Sequence, residues 1–198
     1  GDAAALARLL ERVLPREAIA VRSSFSPLMR KLHDPEEPVS NVAITLELIE
    51  RLLTRYPGIV AGAKDSSGDW SNTKATLDRF KERNFDVFPG SEVFLLDGLR
   101  AGGKGCITAT GNVNPGPIAE VFKNWRSTEA DKLQAGINVT RKIMQKVPMI
   151  PALKAVTAHF GNDPEWRTVR PPLVELAPEQ EKQVITELKA AGFSMPGL

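Results

Sequence analysis

The sequence predicts an α/β protein built around a parallel sheet, and three observations predict it. Ile59 to Ala63 is a short apolar run, β-branched at its start and closed by Ser66-Ser67-Gly68-Asp69, which is how a buried parallel strand reads. Two further short runs, Phe85 to Phe88 and Gly105 to Thr110, follow it with helical stripes between them. Each run ends in small or hydroxyl residues: Ser66 and Ser67, Gly90 and Ser91, then Thr108, Thr110 and Asn112. Strand and helix alternating at this spacing require parallel strands joined by right-handed crossovers. The three strand ends then lie on one side of the sheet, where a single pocket can be lined by all of them.

Taken in order, residues 2 to 14 have a helical pattern, with Asp2 as cap and Leu6, Leu9, Leu10 and Val13 on one face. Ala18 to Val21 is a candidate short strand. Arg22 to Ser40 lacks periodicity, holds Pro27, Pro35 and Pro38, and reads as loop. Thr45 then caps a helix whose stripe, Ile49, Leu52, Leu53 and Tyr56, stops at Pro57-Gly58. After the first key strand, a helix over 70–83 turns Trp70, Thr73, Leu77 and Phe80 inward, and a helix carrying Val93, Leu96 and Leu99 ends at Gly102-Gly103. Pro115 and Pro117 open a helix with Ile118, Val121, Phe122 and Trp125 on its face. Beyond Ser127 only helices are expected: a long one from Thr128 to Pro148, one from Pro151 to Phe160, and a last one from Pro178 to Gly192. The division this implies is an atypical N-terminal segment (1–38), strand–helix units (39–126) and a helical C-terminal region (127–198).

Composition excludes several classes of function. With 26 basic and 24 acidic side chains, the net charge of +2 makes no field suited to nucleic acid or an anionic membrane. The few aromatics are not interleaved with arginines, so a stacking platform for bases is not expected. A single cysteine, Cys106, excludes an internal disulfide and fits a reducing compartment, and no run approaches the roughly 20 apolar residues of a membrane span. A cytoplasmic protein is the expectation. His33, His159 and Cys106 stand apart without ligand spacing, so no metal site is expected. Cys106, inside an apolar run, reads as core, and no Walker or dinucleotide glycine pattern is present.

Lys64 is the residue of chemical interest. It stands at the carboxyl end of the Ile59–Ala63 run, where parallel sheets and barrels collect ligands. Burial favours the neutral amine, which is how a lysine becomes a nucleophile. A structural reading stands beside this one: the stem packs while the ammonium reaches water or pairs with Asp65 or Asp69. Period two sets Gly62 and Lys64 on one face, with Gly90 and Ile107 as neighbours across the ladder, and small residues there leave room beside a long side chain. Ser91 and Thr110, at the ends of the later runs, complete the candidate substrate-binding set.

Three stretches in this order, Gly-Ile-Val-Ala-Gly-Ala-Lys-Asp-Ser-Ser-Gly-Asp, Phe-Pro-Gly-Ser-Glu and Gly-Cys-Ile-Thr-Ala-Thr-Gly-Asn-Val-Asn-Pro, resemble the dihydrodipicolinate synthase / N-acetylneuraminate lyase family. The later Ile-Pro-Ala-Leu-Lys-Ala-Val-Thr-Ala-His-Phe-Gly is similar to it as well, so the resemblance runs from about Val39 to Leu198. It implies a TIM-barrel type of fold, here only the C-terminal half of a (β/α)8 barrel followed by a helical region, with the helix from Thr45 as the fifth of the barrel. It implies a class I aldolase, lyase or synthase, commonly an oligomer, acting on pyruvate or a related 2-oxo acid with no cofactor. By the resemblance Lys64 matches the Schiff-base lysine, and Gly90 and Ile107 match residues lining the 2-oxo-acid pocket.

The first 38 residues depart from that pattern. A full member has roughly five strands before this point, and one candidate is found here. The family's Gly-Thr-Thr-Gly-Glu turn has no counterpart, and Leu32 of Leu32-His33-Asp34-Pro35 stands where the proton-relay tyrosine is expected. His33 is the candidate substitute relay, since its titration range suits proton transfer. The alternative to a catalyst is a truncated non-catalytic relative or interaction module that keeps the scaffold and the lysine. A third reading is a phosphate-binding barrel enzyme using the turns at Gly90 and Gly111.

Overall fold

A computed structural model describes the backbone of residues 19–22 and all of residues 44–196. The helix expected over residues 2 to 14, the loop beyond Arg22, and His33 with Leu32 and Pro35 lie outside the described residues. Three parallel strands form the sheet in the order β1 (Ile19–Arg22), β2 (Val60–Asp65), β3 (Asp86–Pro89). β1 is the short strand read from Ala18 to Val21, shifted by one residue. In β2 the register sets Lys64 opposite Arg22 of β1 and Phe88 of β3.

Helices α1 (Leu46–Arg55) and α2 (Trp70–Phe80) connect these strands. α1 starts where the sequence indicates: the Thr45 hydroxyl accepts from the Leu48 amide at 3.2 Å. Asp69 caps α2 by accepting from the Ser71 amide at 2.8 Å. Their apolar faces meet the sheet in one cluster of Ile49, Leu52, Val60, Ala63, Leu77, Phe80, Phe85 and Val87. Phe80, fully buried, meets Phe85 edge to face with centroids 5.7 Å apart. Burial of a side chain of that size contributes roughly 1.5–3 kcal/mol, so this cluster holds the β2 frame.

After β3 a 3-10 turn (Glu92–Phe94) leads into α3 (Leu95–Arg100). The strand expected over Gly105 to Thr110 does not form. Gly105 adopts φ +142°, outside the extended range, and the Lys104 amide reaches β3 at 3.3 Å from the Val87 carbonyl. The run ends instead in a 3-10 turn, Ala109–Asn112, because the Thr108 and Thr110 hydroxyls are drawn to Glu92. Cys106 therefore lies in irregular chain, half-buried, and not in a strand.

The remainder is helical: α4 (Pro115–Asn124), α5 (Ala130–Met144), α6 (Met149–Phe160), a 3-10 turn (Pro164–Arg167) and α7 (Pro178–Ala190). The inward stripe read for α4 holds for Val121, which is fully buried, but Phe122 is exposed. Val113 and α5, α6 and α7 close a second core through Ile143, Met144, Leu153, Val156, Val184, Ile185 and Leu188. The chain divides into two compact units, residues 1–90 with 98–106 and residues 91–97 with 107–198. This boundary differs from the sequence-based one at 126 and 127, which stands as a proposal about domain organisation.

Candidate functional site

In the first unit the site is built around the carboxyl end of β2. Ala63 packs into the helix-side core, and the Asp65 carboxylate turns to α2, accepting from Thr73 Oγ1 at 2.5 Å and Asn72 Nδ2 at 3.1 Å. Strand alternation therefore sets Lys64, between them, on the face of the sheet away from α2. Lys64 is half-buried and is the fifth of six residues in β2, inside the strand and not just past it.

Asp65 also accepts from the Ser67 amide at 2.9 Å, so one buried carboxylate fixes the turn that follows the lysine. Asp69 is engaged with the amide and hydroxyl of Ser71, each at 2.8 Å to Oδ1, which holds its carboxyl below the usual range.

Two glycines on this frame are there for lack of space. A Cβ at Gly62 would lie 2.2 Å from the Asp86 carbonyl oxygen, so β2 and β3 tolerate no side chain at that point. A Cβ at Gly90 would lie 2.6 Å from the Asp65 carbonyl oxygen and 3.0 Å from Ser66 Cα. The Gly90 amide donates to that same carbonyl at 2.6 Å, tying the end of β3 to the residue after Lys64. Gly90 and Lys64 are thus brought together at adjacent strand ends, as the sequence suggested.

In the second unit the organising group is Glu92, fully buried. Thr108 Oγ1 donates to one of its oxygens at 2.5 Å and Thr110 Oγ1 donates to the other. Arg141 Nη1 of α5 approaches Glu92 and Thr108 at 3.4 Å each. Gln134 Nε2 donates to the Glu92 carbonyl at 2.9 Å while its Oε1 accepts from the Leu96 amide at 3.1 Å. Charge and hydrogen bonding are thereby supplied to a carboxylate that would otherwise be costly to bury. Arg141 Nε is buried and has no hydrogen-bond partner among the described residues.

This network joins Ser91, the N-cap of the first 3-10 turn, to the turn that carries Thr110. Thr110 itself has no exposed surface, and its hydroxyl is committed to Glu92. Ile107, by contrast, is 48% exposed. Sequence reasoning missed Glu92, Asp65, Gln134 and Arg141. Glu92 stood in the Phe-Pro-Gly-Ser-Glu stretch, but nothing in one sequence marks a glutamate as buried before its hydroxyl partners are placed. Gln134 sits next to Leu133 on the inward side of α5, and its burial is legible only as a polar interruption of that stripe.

Among the described residues no group of three or more His, Cys, Asp or Glu is placed to hold a metal ion. None of their helices is long and apolar enough to cross a membrane.

Parallel strand–helix units with a lysine at a strand's carboxyl end define an α/β scaffold built on a parallel sheet. The comparisons with known proteins give that scaffold a family. The model of the dihydrodipicolinate synthetase family matches residues 36–191, and the chain belongs to this family.

A DapA-like lyase of Chloroflexus aurantiacus is 31% identical over 160 residues, covering 80% of this chain and 50% of the relative. A probable 2-dehydro-3-deoxy-D-pentonate aldolase of Escherichia coli is 27% identical, covering 76% of this chain and 51% of the relative. The chain spans about half the length of these curated relatives.

Among solved structures, YagE of E. coli, a family member determined in complex with pyruvate, superposes with a TM-score of 0.79 at 21% identity, over 98% of this chain and 63% of that one. A dihydrodipicolinate synthase homologue from Thermus thermophilus gives 0.64 at 30% identity, over 81% of this chain and 56% of that one. The fold is therefore of the TIM-barrel type, the part of a (β/α)8 barrel that carries these units, followed by the helical C-terminal region.

Proposed function

We propose that this chain carries the Schiff-base half of a class I aldolase, lyase or synthase acting on pyruvate or a related 2-oxo acid. The observation that supports it most is Lys64, half-buried at the carboxyl end of β2, at the position the family pattern assigns to the imine-forming lysine. The neutral amine attacks the C2 carbonyl, and the carbinolamine loses water to leave a protonated imine. The imine nitrogen then accepts the electron pair when a proton or a carbon substituent leaves C3, giving an enamine. Addition of the enamine carbon to an aldehyde runs the same steps towards synthesis, and hydrolysis returns the free lysine.

Gly90 leaves the backbone clear beside the strand end, because a methyl group there would strike the Asp65 carbonyl. Ile107 is carried over as a pocket-lining residue on the family pattern, Ser91 as a strand-end hydroxyl beside Gly90, and Thr110 as a residue that shapes its turn through Glu92. His33 is proposed as the proton relay in the tyrosine's stead. Homo-oligomeric assembly and a cytoplasmic location are proposed with the family reading.

Proton exchange at the pyruvate methyl group tests the reaction directly. In D2O the imine–enamine step replaces methyl protons by deuterium, which NMR follows without a second substrate. The expected result is exchange that requires Lys64 and slows on His33→Ala, with general acid–base help worth ~10²–10⁴-fold. No exchange above that of the Lys64→Arg variant would favour the alternative of a non-catalytic relative that keeps the scaffold.

A further inference from the structure

The helical region contains a groove of about 610 Å³, a volume in the range of small-ligand sites. It is independent of Lys64, since every residue lining it belongs to α6, the 3-10 turn that follows, the loop before α7, or α7 itself. Its apolar surface comes from Leu176 and the buried Ile185. On one wall Arg167 and Glu181 form a two-pronged ion pair, with Nε to Oε2 at 3.0 Å and Nη2 to Oε1 at 2.7 Å. This pair is closed on itself and adds no net charge.

Lys182 and Lys189 also line the groove, and no ion pair is found for either among the described residues. They lie seven positions apart on α7, two turns on one face and about 10 Å along the axis. Glu175 is the remaining charged group of the lining.

We propose that this groove binds a small dicarboxylate, one carboxylate held by Lys182 and the other by Lys189, with the His159 imidazole taking up a proton as the ligand enters. The charge balance carries the choice of ligand. Two lysines and a protonated His159, less Glu175, leave two positive charges for two negative ones, with the Arg167–Glu181 pair neutral. A long stem on each lysine lets the ammonium groups close on a short diacid.

Lys189 and Arg167 set a positive field at the imidazole, opposed by Glu181. Burial, then Lys189 and Arg167 against the opposing Glu181, hold His159 below its ordinary value of 6.5. A dianion beside it reverses that field, so the proton is bound more tightly in the complex.

His159 and His33 are the two histidines of the chain, which makes imidazole NMR of the full chain a direct test with an internal control. Succinate is the probe, acetate and succinamide are the controls, and His159→Gln assigns the signals. The expected result is a saturable shift of the His159 signal with half-saturation between about 0.1 and 10 mM. It is accompanied by a rise in the His159 pKa, an unmoved His33, and affinity higher at pH 6 than at pH 8. Acetate should need at least ten times more, succinamide should do nothing, and Lys182→Gln/Lys189→Gln should abolish saturation without changing the remaining spectrum. Equal movement of both histidines, saturation by acetate at the same concentration, or saturation unchanged in the double variant would each overturn the proposal.

Discussion

The Thr110 hydroxyl donates to the carboxylate of Glu92, a residue eighteen positions earlier that has no exposed surface. This contact ties the Ala109–Asn112 turn to the segment after β3, with Thr108 on the other carboxylate oxygen at 2.5 Å. Glu92→Ala leaves two hydroxyls and the largely buried Arg141 without their acceptor. Removal of one partner from such a buried ionic network costs about 3–5 kcal/mol. Glu92→Gln keeps one acceptor and is expected to cost about 1 kcal/mol. Urea unfolding in a Trp70→Phe background checks both, because Trp125 and Trp166 then report on the unit that holds Glu92.

Asp65 and Thr73 form the corresponding lock in the other unit, with their side chains 2.5 Å apart and Thr73 only 2% exposed. Thr73→Val keeps the shape and removes the donor, at an expected cost of about 1–3 kcal/mol from an under-satisfied buried carboxylate. Amide exchange at Ser67, whose N–H rests on the same carboxylate, should quicken in the variant.

The glycines divide by space. Gly90→Ala puts a methyl group against the Asp65 carbonyl and is expected to destabilise by about 1–3 kcal/mol. Gly136, inside α5, has open space where a Cβ would lie, and Gly136→Ala is expected to stabilise by roughly 0.5–1 kcal/mol. Parallel melts of the two variants, one falling and one rising, check the assignment of crowding to Gly90.

Much of this frame was legible in the chain. The Thr45 cap, the Ile49–Leu52 stripe and the β2 run followed from residue type and period alone, because local hydrogen bonding and burial there point the same way. The Gly105–Thr110 run was misread because its apolar pattern is local, whereas Glu92, which captures two of its hydroxyls, lies outside it. The same distance hid Asp65 as a loop lock and Gln134 as a bridge: each is a polar residue whose partner is seven to forty-two positions away. Lys64 drew attention because a lysine at the carboxyl end of a buried strand is conspicuous by itself, while Thr110 was taken as open where it is enclosed.

His159 gives a pH dependence whose sign is fixed by its surroundings. Burial first, and Lys189 next, hold its pKa below 6.5 in the fold. As the pH falls, the unfolded chain binds this proton before the folded one does, so stability rises with pH across the window. The contribution is present above 6.5 and is lost as the pH falls through 6.5 towards the folded value. Lys189→Gln should raise the His159 pKa, read from its NMR titration, and narrow that window.

Reductive trapping decides whether Lys64 is an imine-forming amine. The chain is incubated with pyruvate near neutral pH, reduced with borohydride and digested for peptide mass analysis. One adduct is expected, on the peptide that contains Lys64, saturable in pyruvate and lost on Lys64→Arg. Labelling spread over many lysines at a rate the substitution leaves unchanged would contradict it.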